Sequence, residues 1–301
     1  RLGLFASIFP YDSFFMPLFV FCSGYFYKKR PFFTDCWRKF KSLLVPYIVW
    51  SVLSNLFCYL LQELNIVYWY KPTIQNFARL LWVDPISTIN GAGWFALMLF
   101  HVAVIYSLLR NTILKDSVRS DYLFLLASIV LGMGAVFLCM EGRNALYELN
   151  ALFRAVFFLQ FFHIGYMFRR YWEPVIQHFS KFYICCLCVL INEVLIGFYG
   201  SDILFCATAY MESFNSWFLP LITSVTGGLF WYTISSFLAQ TVKSVTLVNF
   251  VADNTFNIMM SHLFFLCIPT FCILFSIKSG HNPCPGYDIA PFLKNAWNKY
   301  T

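Results

Sequence analysis

Charge is what this chain has least of. Asp, Glu, Lys and Arg make up only 12% of its 301 residues, against 60% that are hydrophobic. A soluble domain clothes its surface with about 25% charged residues. Folded around a single water-facing core, this chain would leave most of its apolar side chains uncovered, so a soluble globular protein is set aside. Low-complexity tracts, heptad arrays and short internal repeats are lacking. So is the ten-residue alternation of a membrane β-barrel: a run such as 263–275 is continuously apolar. The chain opens on Arg1-Leu2-Gly3 with no initiator Met and no signal-peptide pattern. That start reads as an interior cut, with a preceding segment expected.

What the chain has instead is aromatic and aliphatic length: 37 Phe, 18 Tyr and 9 Trp. A hydrocarbon layer of about 30 Å needs around 20 mostly apolar residues in helix. Eight segments are predicted to span it: 11–27, 42–62, 93–109, 122–139, 151–168, 182–198, 217–239 and 255–277. The expected fold class is therefore all-α, a polytopic transmembrane helical bundle in one membrane domain over residues 1–301. Pro17, Gly24, Pro46, Pro220, Gly227, Gly228 and Pro269 fall in or beside these spans, where neighbouring helices can satisfy a broken backbone. Residues 278–301 read as an irregular extracytoplasmic tail.

The charges between spans alternate. Lys28, Lys29, Arg30, Arg38, Lys39 and Lys41 lie between spans one and two, and Arg110, Lys115 and Arg119 with Asp116 and Asp121 lie between three and four. Arg169, Arg170, Glu173 and Lys181 follow span five, and Lys243 and Asp253 follow span seven. The intervening loops are acidic or mixed. The positive-inside rule puts the basic loops in the cytoplasm and Arg1 outside. Parity then calls for a helix before Arg1, and one more after the last span would give ten. Trp69, Trp82, Trp94, Trp172 and Trp217 fall near the predicted interfaces, as an aromatic belt does.

Eleven cysteines are many for this length. Cys22, Cys58, Cys185, Cys186, Cys188, Cys267 and Cys272 lie within predicted spans and read as small hydrophobes. Cys206 and Cys284 are the two on the outer side with freedom to pair. No HExxH pattern accompanies the five histidines, and no metal is expected.

Polar residues inside a membrane segment cost free energy and mark candidate sites. Asn254, Asn257 and Ser261 share one helical face, with His262 at its edge. They form either a helix–helix hydrogen-bond seam or a polar pocket. Glu193, beside Asn192, reads as a buried acid that pairs with Arg154 or His163 across the bundle. His101 and His163 read as structural or pore-lining. The cations Lys28 to Lys41 are explained by sidedness alone, but would equally clamp a phosphate-bearing cofactor such as coenzyme A. Nothing resembles a nucleic-acid surface.

Five motifs carry a family resemblance. Phe14-Phe15-Met16-Pro17-Leu18-Phe19-Val20-Phe21-Cys22-Ser23-Gly24-Tyr25-Phe26 is the strongest, followed by Lys41-Ser42-Leu43-Leu44-Val45-Pro46-Tyr47. Gly91-Ala92-Gly93-Trp94-Phe95, Gln160-Phe161-Phe162-His163-Ile164-Gly165-Tyr166 and Asn257-Ile258-Met259-Met260-Ser261-His262 complete the set, in order. Together they resemble the membrane-bound acyltransferase 3 family, especially its bacterial sugar and polysaccharide O-acetyltransferases of fucose O-acetylase type.

The resemblance implies about ten transmembrane helices in the bacterial inner membrane. It implies transfer of an acyl group, acetyl above all, from acetyl-CoA to a hydroxyl of a sugar or cell-envelope polysaccharide. Acyl-CoA, the sugar acceptor and the lipid bilayer are the partners, with no nucleic acid and no metal. The family's essential His lies in a first helix that would precede Arg1, and without it this chain is expected to be inactive. A further common family His falls at Phe15 here. Catalytic candidates in the chain are then His262, Glu193 and Asn257. Lys28, Arg30, Arg38 and Lys41 are candidates for the coenzyme A phosphates, and Ser23 and Tyr25, with Gly24, for the thioester channel. A polysaccharide transporter and a non-enzymatic assembly protein of the envelope are the competing readings.

Overall fold

In a computed structural model every regular element among the described residues is helical; these residues are 9–63, 93–142, 147–205, 211, 214–241, 246, 248–255 and 257–259. After a 3-10 turn at Tyr11–Ser13 come α1 (Phe15–Tyr25) and α2 (Phe32–Lys39). A π-helical turn at Phe40–Leu44 leads into α3 (Val45–Glu63). Then follow α4 (Gly93–Thr112), α5 (Val118–Met140) and α6 (Tyr147–Met167), which widens into a π-helical turn at Phe168–Trp172 before the short α7 (Glu173–Ile176). α8 (Lys181–Tyr199) ends in a 3-10 turn at Gly200–Ile203, and α9 (Leu219–Thr241) follows.

Six stretches among the described residues are long and apolar enough to cross a bilayer: Phe32–Phe57, Gly93–Thr112, Val118–Met140, Leu149–Ile176, Lys181–Ile203 and Leu219–Gln240. They match six of the eight sequence-predicted spans. The first expected span, 11–27, is corrected to the eleven-residue α1. At 1.5 Å per residue α1 is about 16 Å long, half a hydrocarbon layer. The eighth, 255–277, and the tail 278–301 fall almost wholly outside the described residues, as do Cys206 and Cys284.

The chain divides into two compact units: Arg1–Lys39 with Met98–Val245, and Phe40–Leu97 with Thr246–Thr301. In the second, side chains of α3 bond back along their own helix, Ser54 Oγ to the Trp50 carbonyl at 2.7 Å and Asn55 Nδ2 to that of Ser51 at 2.7 Å. Such back-bonding satisfies polar groups without help from water.

In the first unit α6 is the central helix, with α5 on one side and α1 on the other; α9 packs on α1, and α8 on α9. The α1–α6 crossing is closed by two glycines. A methyl group at Gly24 would overlap the Phe162 carbonyl, and one at Gly165 would overlap the Phe21 carbonyl. Each helix thus lays backbone directly on the other, as small residues allow in membranes. Gly227 of α9 similarly leaves room for the Phe14 ring, which joins Phe9, Phe230 and Cys188 in an apolar cluster. There Cys188 behaves as the small hydrophobe expected. The outward sides of α5 and α8 are apolar and exposed, with Leu123, Leu126 and Val130 on one and Phe182, Leu187 and Phe198 on the other. A water-facing surface would not be built this way.

Candidate functional site

Side-chain bonds sort the helix ends of this unit by side. Arg169 Nη1 donates to the Tyr25 carbonyl at 3.2 Å, joining the ends of α6 and α1. Asn111 Nδ2, near the end of α4, donates to the Arg30 carbonyl at 3.1 Å, and Lys29 pairs with Asp116 at 2.8 Å. Lys181 at the start of α8 donates to the Ser236 carbonyl of α9 at 3.1 Å. The sequences around 25–30, 110–122, 166–181 and 236 therefore meet at one end, and it is the basic one. At the opposite end the Phe205 amide donates to the Asp12 carbonyl, and Thr223 Oγ1 to that of Ser13. This is the sorting that the alternating loop charges predict.

Just inside the basic end lies a buried polar circuit. Arg110 of α4 and Asp121 of α5, both almost wholly enclosed, face each other with Nη1 and Oδ1 2.6 Å apart. Arg110 Nε donates to the Tyr106 hydroxyl at 3.1 Å, one helical turn earlier. That hydroxyl lies 3.0 Å from His163 Nδ1 of α6, and His163 Nε2 lies 2.9 Å from the Asp121 carbonyl. A carbonyl only accepts, so Nε2 carries the proton and Nδ1 accepts from Tyr106. The bonds run from Arg110 through Tyr106 and His163 to Asp121, and the ion pair closes the ring. Tyr171 Oη also donates to Asp121 Oδ2 at 2.7 Å, and the Arg110 guanidinium sits 4.2 Å from the centre of the Tyr166 ring. With both nitrogens engaged, His163 has no lone pair left to take a proton from a substrate. Its work is to lock α4, α5 and α6 together.

A second carboxylate is held at the same end. Glu173 accepts from the Tyr232 hydroxyl at 2.6 Å and from the Tyr25 hydroxyl at 2.8 Å, tying α7 to α9 and α1. Outside the spans, Asp116 is held below the usual carboxylate range by its hydrogen bond to Lys29, and burial pushes the Tyr27 phenol up.

The expected site residues are distributed unevenly. Tyr25 is at this end, with its hydroxyl on Glu173. Ser23 Oγ turns back to the Phe19 carbonyl at 3.0 Å. Lys28 is exposed and Arg30 half-buried on the connection between α1 and α2. Arg38 pairs with the buried Asp35 of its own helix at 3.3 Å. The expected basic loop is largely helical, because α2 begins at Phe32; only the stretch up to Pro31 connects. Lys41 belongs to the second unit, on the π-helical turn, and is exposed. Asn257 is exposed, and Asn254 Nδ2 bonds back to the Phe250 carbonyl. His262 lies outside the described residues.

Glu193 requires correction: it is exposed on α8, while its neighbour Asn192 is buried. The expected bond to His163 is not made, since Tyr106 and Asp121 occupy both ring nitrogens. Phe15 stacks on Tyr11 with centroids 3.8 Å apart. Arg110, Asp121, Tyr106 and Glu173 escape a sequence reading that assigns charges near span ends to loops. The four-residue step from Tyr106 to Arg110 is the one local signal that could have found them.

No curated protein and no solved structure matches the chain significantly. One family profile, described as an acyltransferase domain, matches residues 4–278, nearly the whole length. The helical membrane architecture and this match agree, and the chain belongs to the acyltransferase 3 family of membrane acyltransferases.

Proposed function

We propose that the protein is an O-acyltransferase that takes acetyl from acetyl-CoA at its basic end and gives it to a hydroxyl of a sugar or cell-envelope polysaccharide. Within a family of membrane acyltransferases, the observation that carries this reading is the gathering of cationic helix ends on one side of the first unit. Coenzyme A is polyanionic, and fixed Arg and Lys groups near one membrane face draw and hold phosphate.

In the reaction the acceptor hydroxyl attacks the thioester carbonyl carbon. Its proton passes to a base, and the tetrahedral oxyanion collapses with departure of the coenzyme A thiolate. Lys28, Arg30 and Arg38 of the first unit are proposed to hold the donor phosphates; Lys41, in the second unit, is a separate candidate for the same charge. Ser23 and Tyr25, on either side of Gly24, are proposed to contact the thioester beside the α1–α6 crossing, which is itself closed by backbone packing. His262 and Asn257 are proposed to position the acceptor. Glu193, exposed on α8, has no part in the proposed site.

The test uses membranes carrying the full-length protein, incubated with radiolabelled acetyl-CoA and envelope glycan. Label is expected on the glycan as alkali-labile ester. Glycan that crosses the membrane without acquiring label would refute the reading and favour a transporter.

A further inference from the structure

Arg169 and Arg170 are consecutive, exposed, and yet braced. The π-helical turn Phe168–Trp172 aims them at different neighbours, and such turns recur at functional sites. Arg169 Nη1 donates to the Tyr25 carbonyl at 3.2 Å, and its guanidinium lies 5.3 Å from the Tyr25 ring centre and 6.0 Å from that of Phe26. Arg170 Nη1 donates to the Tyr166 hydroxyl, and its guanidinium lies 5.4 Å from the Tyr171 ring centre and 5.8 Å from that of Tyr166. Sidedness alone asks only for positive charge. It does not ask for guanidinium planes fixed against aromatic rings.

Each guanidinium has five N–H donors. One nitrogen of each is anchored while both residues stay exposed, which leaves further N–H donors over. The carboxylates close by are already engaged. Asp116 is paired with Lys29, and Glu173 with Tyr25 and Tyr232. Asp121 is held by Arg110 and Tyr171, and its Oδ2 is 3.9 Å from Arg170 Nη1. The connection carrying exposed Lys28 and half-buried Arg30 is tethered beside them, by Arg169 at Tyr25 and by Asp116 at Lys29. The outcome is a preorganised set of donors with spare positive charge. That is what planar, multidentate recognition of phosphate requires.

We propose that Arg169 and Arg170 form a phosphate-binding pair that takes the phosphorylated nucleotide end of the acyl donor. The proposal rests on the acyl-CoA reading above and deepens it. Phosphate of the same charge is also offered by anionic phospholipid headgroups, so the experiment separates the two sources.

Full-length wild type, R169Q, R170Q and R170K would be assayed in nanodiscs of neutral phosphatidylcholine and of anionic phosphatidylglycerol. Donors would be acetyl-CoA and acetyl-dephospho-CoA, which lacks the ribose 3′-phosphate. Each Gln variant is expected to raise KM for acetyl-CoA roughly tenfold, with kcat within about twofold, in both lipids. R170K should recover only part of the loss, because it keeps charge without the fork. The penalty of the Gln variants is expected to shrink with acetyl-dephospho-CoA if the 3′-phosphate is the group they hold; an equal penalty on both donors assigns them the diphosphate instead and still supports the pair. If R170Q does not fold, R169Q and R170K carry the test.

Unchanged KM in R169Q and R170Q, with wild type active, would overturn the pair and leave the acyl-CoA reading standing. Loss of co-purifying phosphatidylglycerol with unchanged KM would also overturn it and mark a lipid site. Wild type that transfers nothing from acetyl-CoA would sink the acyl-CoA reading first, and this proposal with it.

Discussion

Replacing Asp121 by Asn tests the buried circuit most directly. The Arg110–Asp121 pair is 2.6 Å apart, with side chains 1% and 0% exposed. At an effective dielectric of about 20, unit charges at that separation attract by about 6 kcal/mol. Desolvating both ions offsets much of this, so the pair adds little compared with apolar residues of the same size. Breaking it from one side is different. D121N leaves the Arg110 charge enclosed with the Tyr106 hydroxyl and the Tyr166 ring as its remaining company, and it weakens the acceptor for Tyr171. The expected loss is about 3–5 kcal/mol, read as the free energy of reversible unfolding in mixed micelles. A double variant, Arg110→Met with Asp121→Leu, removes both charges and should recover most of that loss. A D121N protein within about 1 kcal/mol of wild type would refute the picture, as would a double variant worse than the single by the full cost of a second break.

Three further outcomes follow from the same geometry. Gly24→Ala and Gly165→Ala force a methyl into a facing carbonyl and should each cost roughly 1–3 kcal/mol or prevent assembly. Gly134→Ala, whose new methyl would meet nothing, should be neutral or stabilising by up to about 1 kcal/mol; size-exclusion profiles and unfolding curves decide. Tyr232→Phe leaves Glu173 with the Tyr25 hydroxyl alone and should cost about 1–3 kcal/mol, visible as faster proteolysis around α7. For Asp116, Lys29 lowers the folded value beneath the ordinary 3.8. The pair's stabilisation is therefore present above about pH 4 and fades as pH falls through the folded value. Both partners are half exposed, so the K29M difference should be small and should shrink further in high salt.

The long spans were legible because uninterrupted apolar runs leave few alternatives once charge is scarce. Boundaries moved for a physical reason. Hydropathy treats Arg110 and Asp121 as loop residues, whereas opposite charges that meet across two helices can stay inside them, and the connection shrinks to 113–117. α1 was overlong in the sequence reading because hydropathy does not register that a helix flanked by α6 and α9 has no need to match the bilayer. The glycines at 24 and 165 stood inside the motifs that carried the family resemblance, but nothing along the chain says that each faces the other's helix. Local sequence could show that His163 sits in an apolar helix. It could not show that Tyr106 and the Asp121 carbonyl would take both of its nitrogens. Glu193 illustrates the converse: an acid beside a buried Asn was assigned the wrong face, since neighbours on a helix point about 100° apart.

The short 113–117 connection has a consequence for how the protein is made. A lone Arg or Asp in an inserting helix carries a penalty of a few kcal/mol when it sits deep, less near the ends. α4 and α5 leave the ribosome consecutively, and five residues between them bring Arg110 and Asp121 together as soon as the second helix is out. Both helices are then expected to enter the bilayer as a hairpin with its charges already neutralised, before α6 and His163 have been synthesised. In an insertion assay with chains ended after Met140, wild type should integrate more efficiently than D121L. Equal integration would mean that the pair closes only after the whole bundle has assembled.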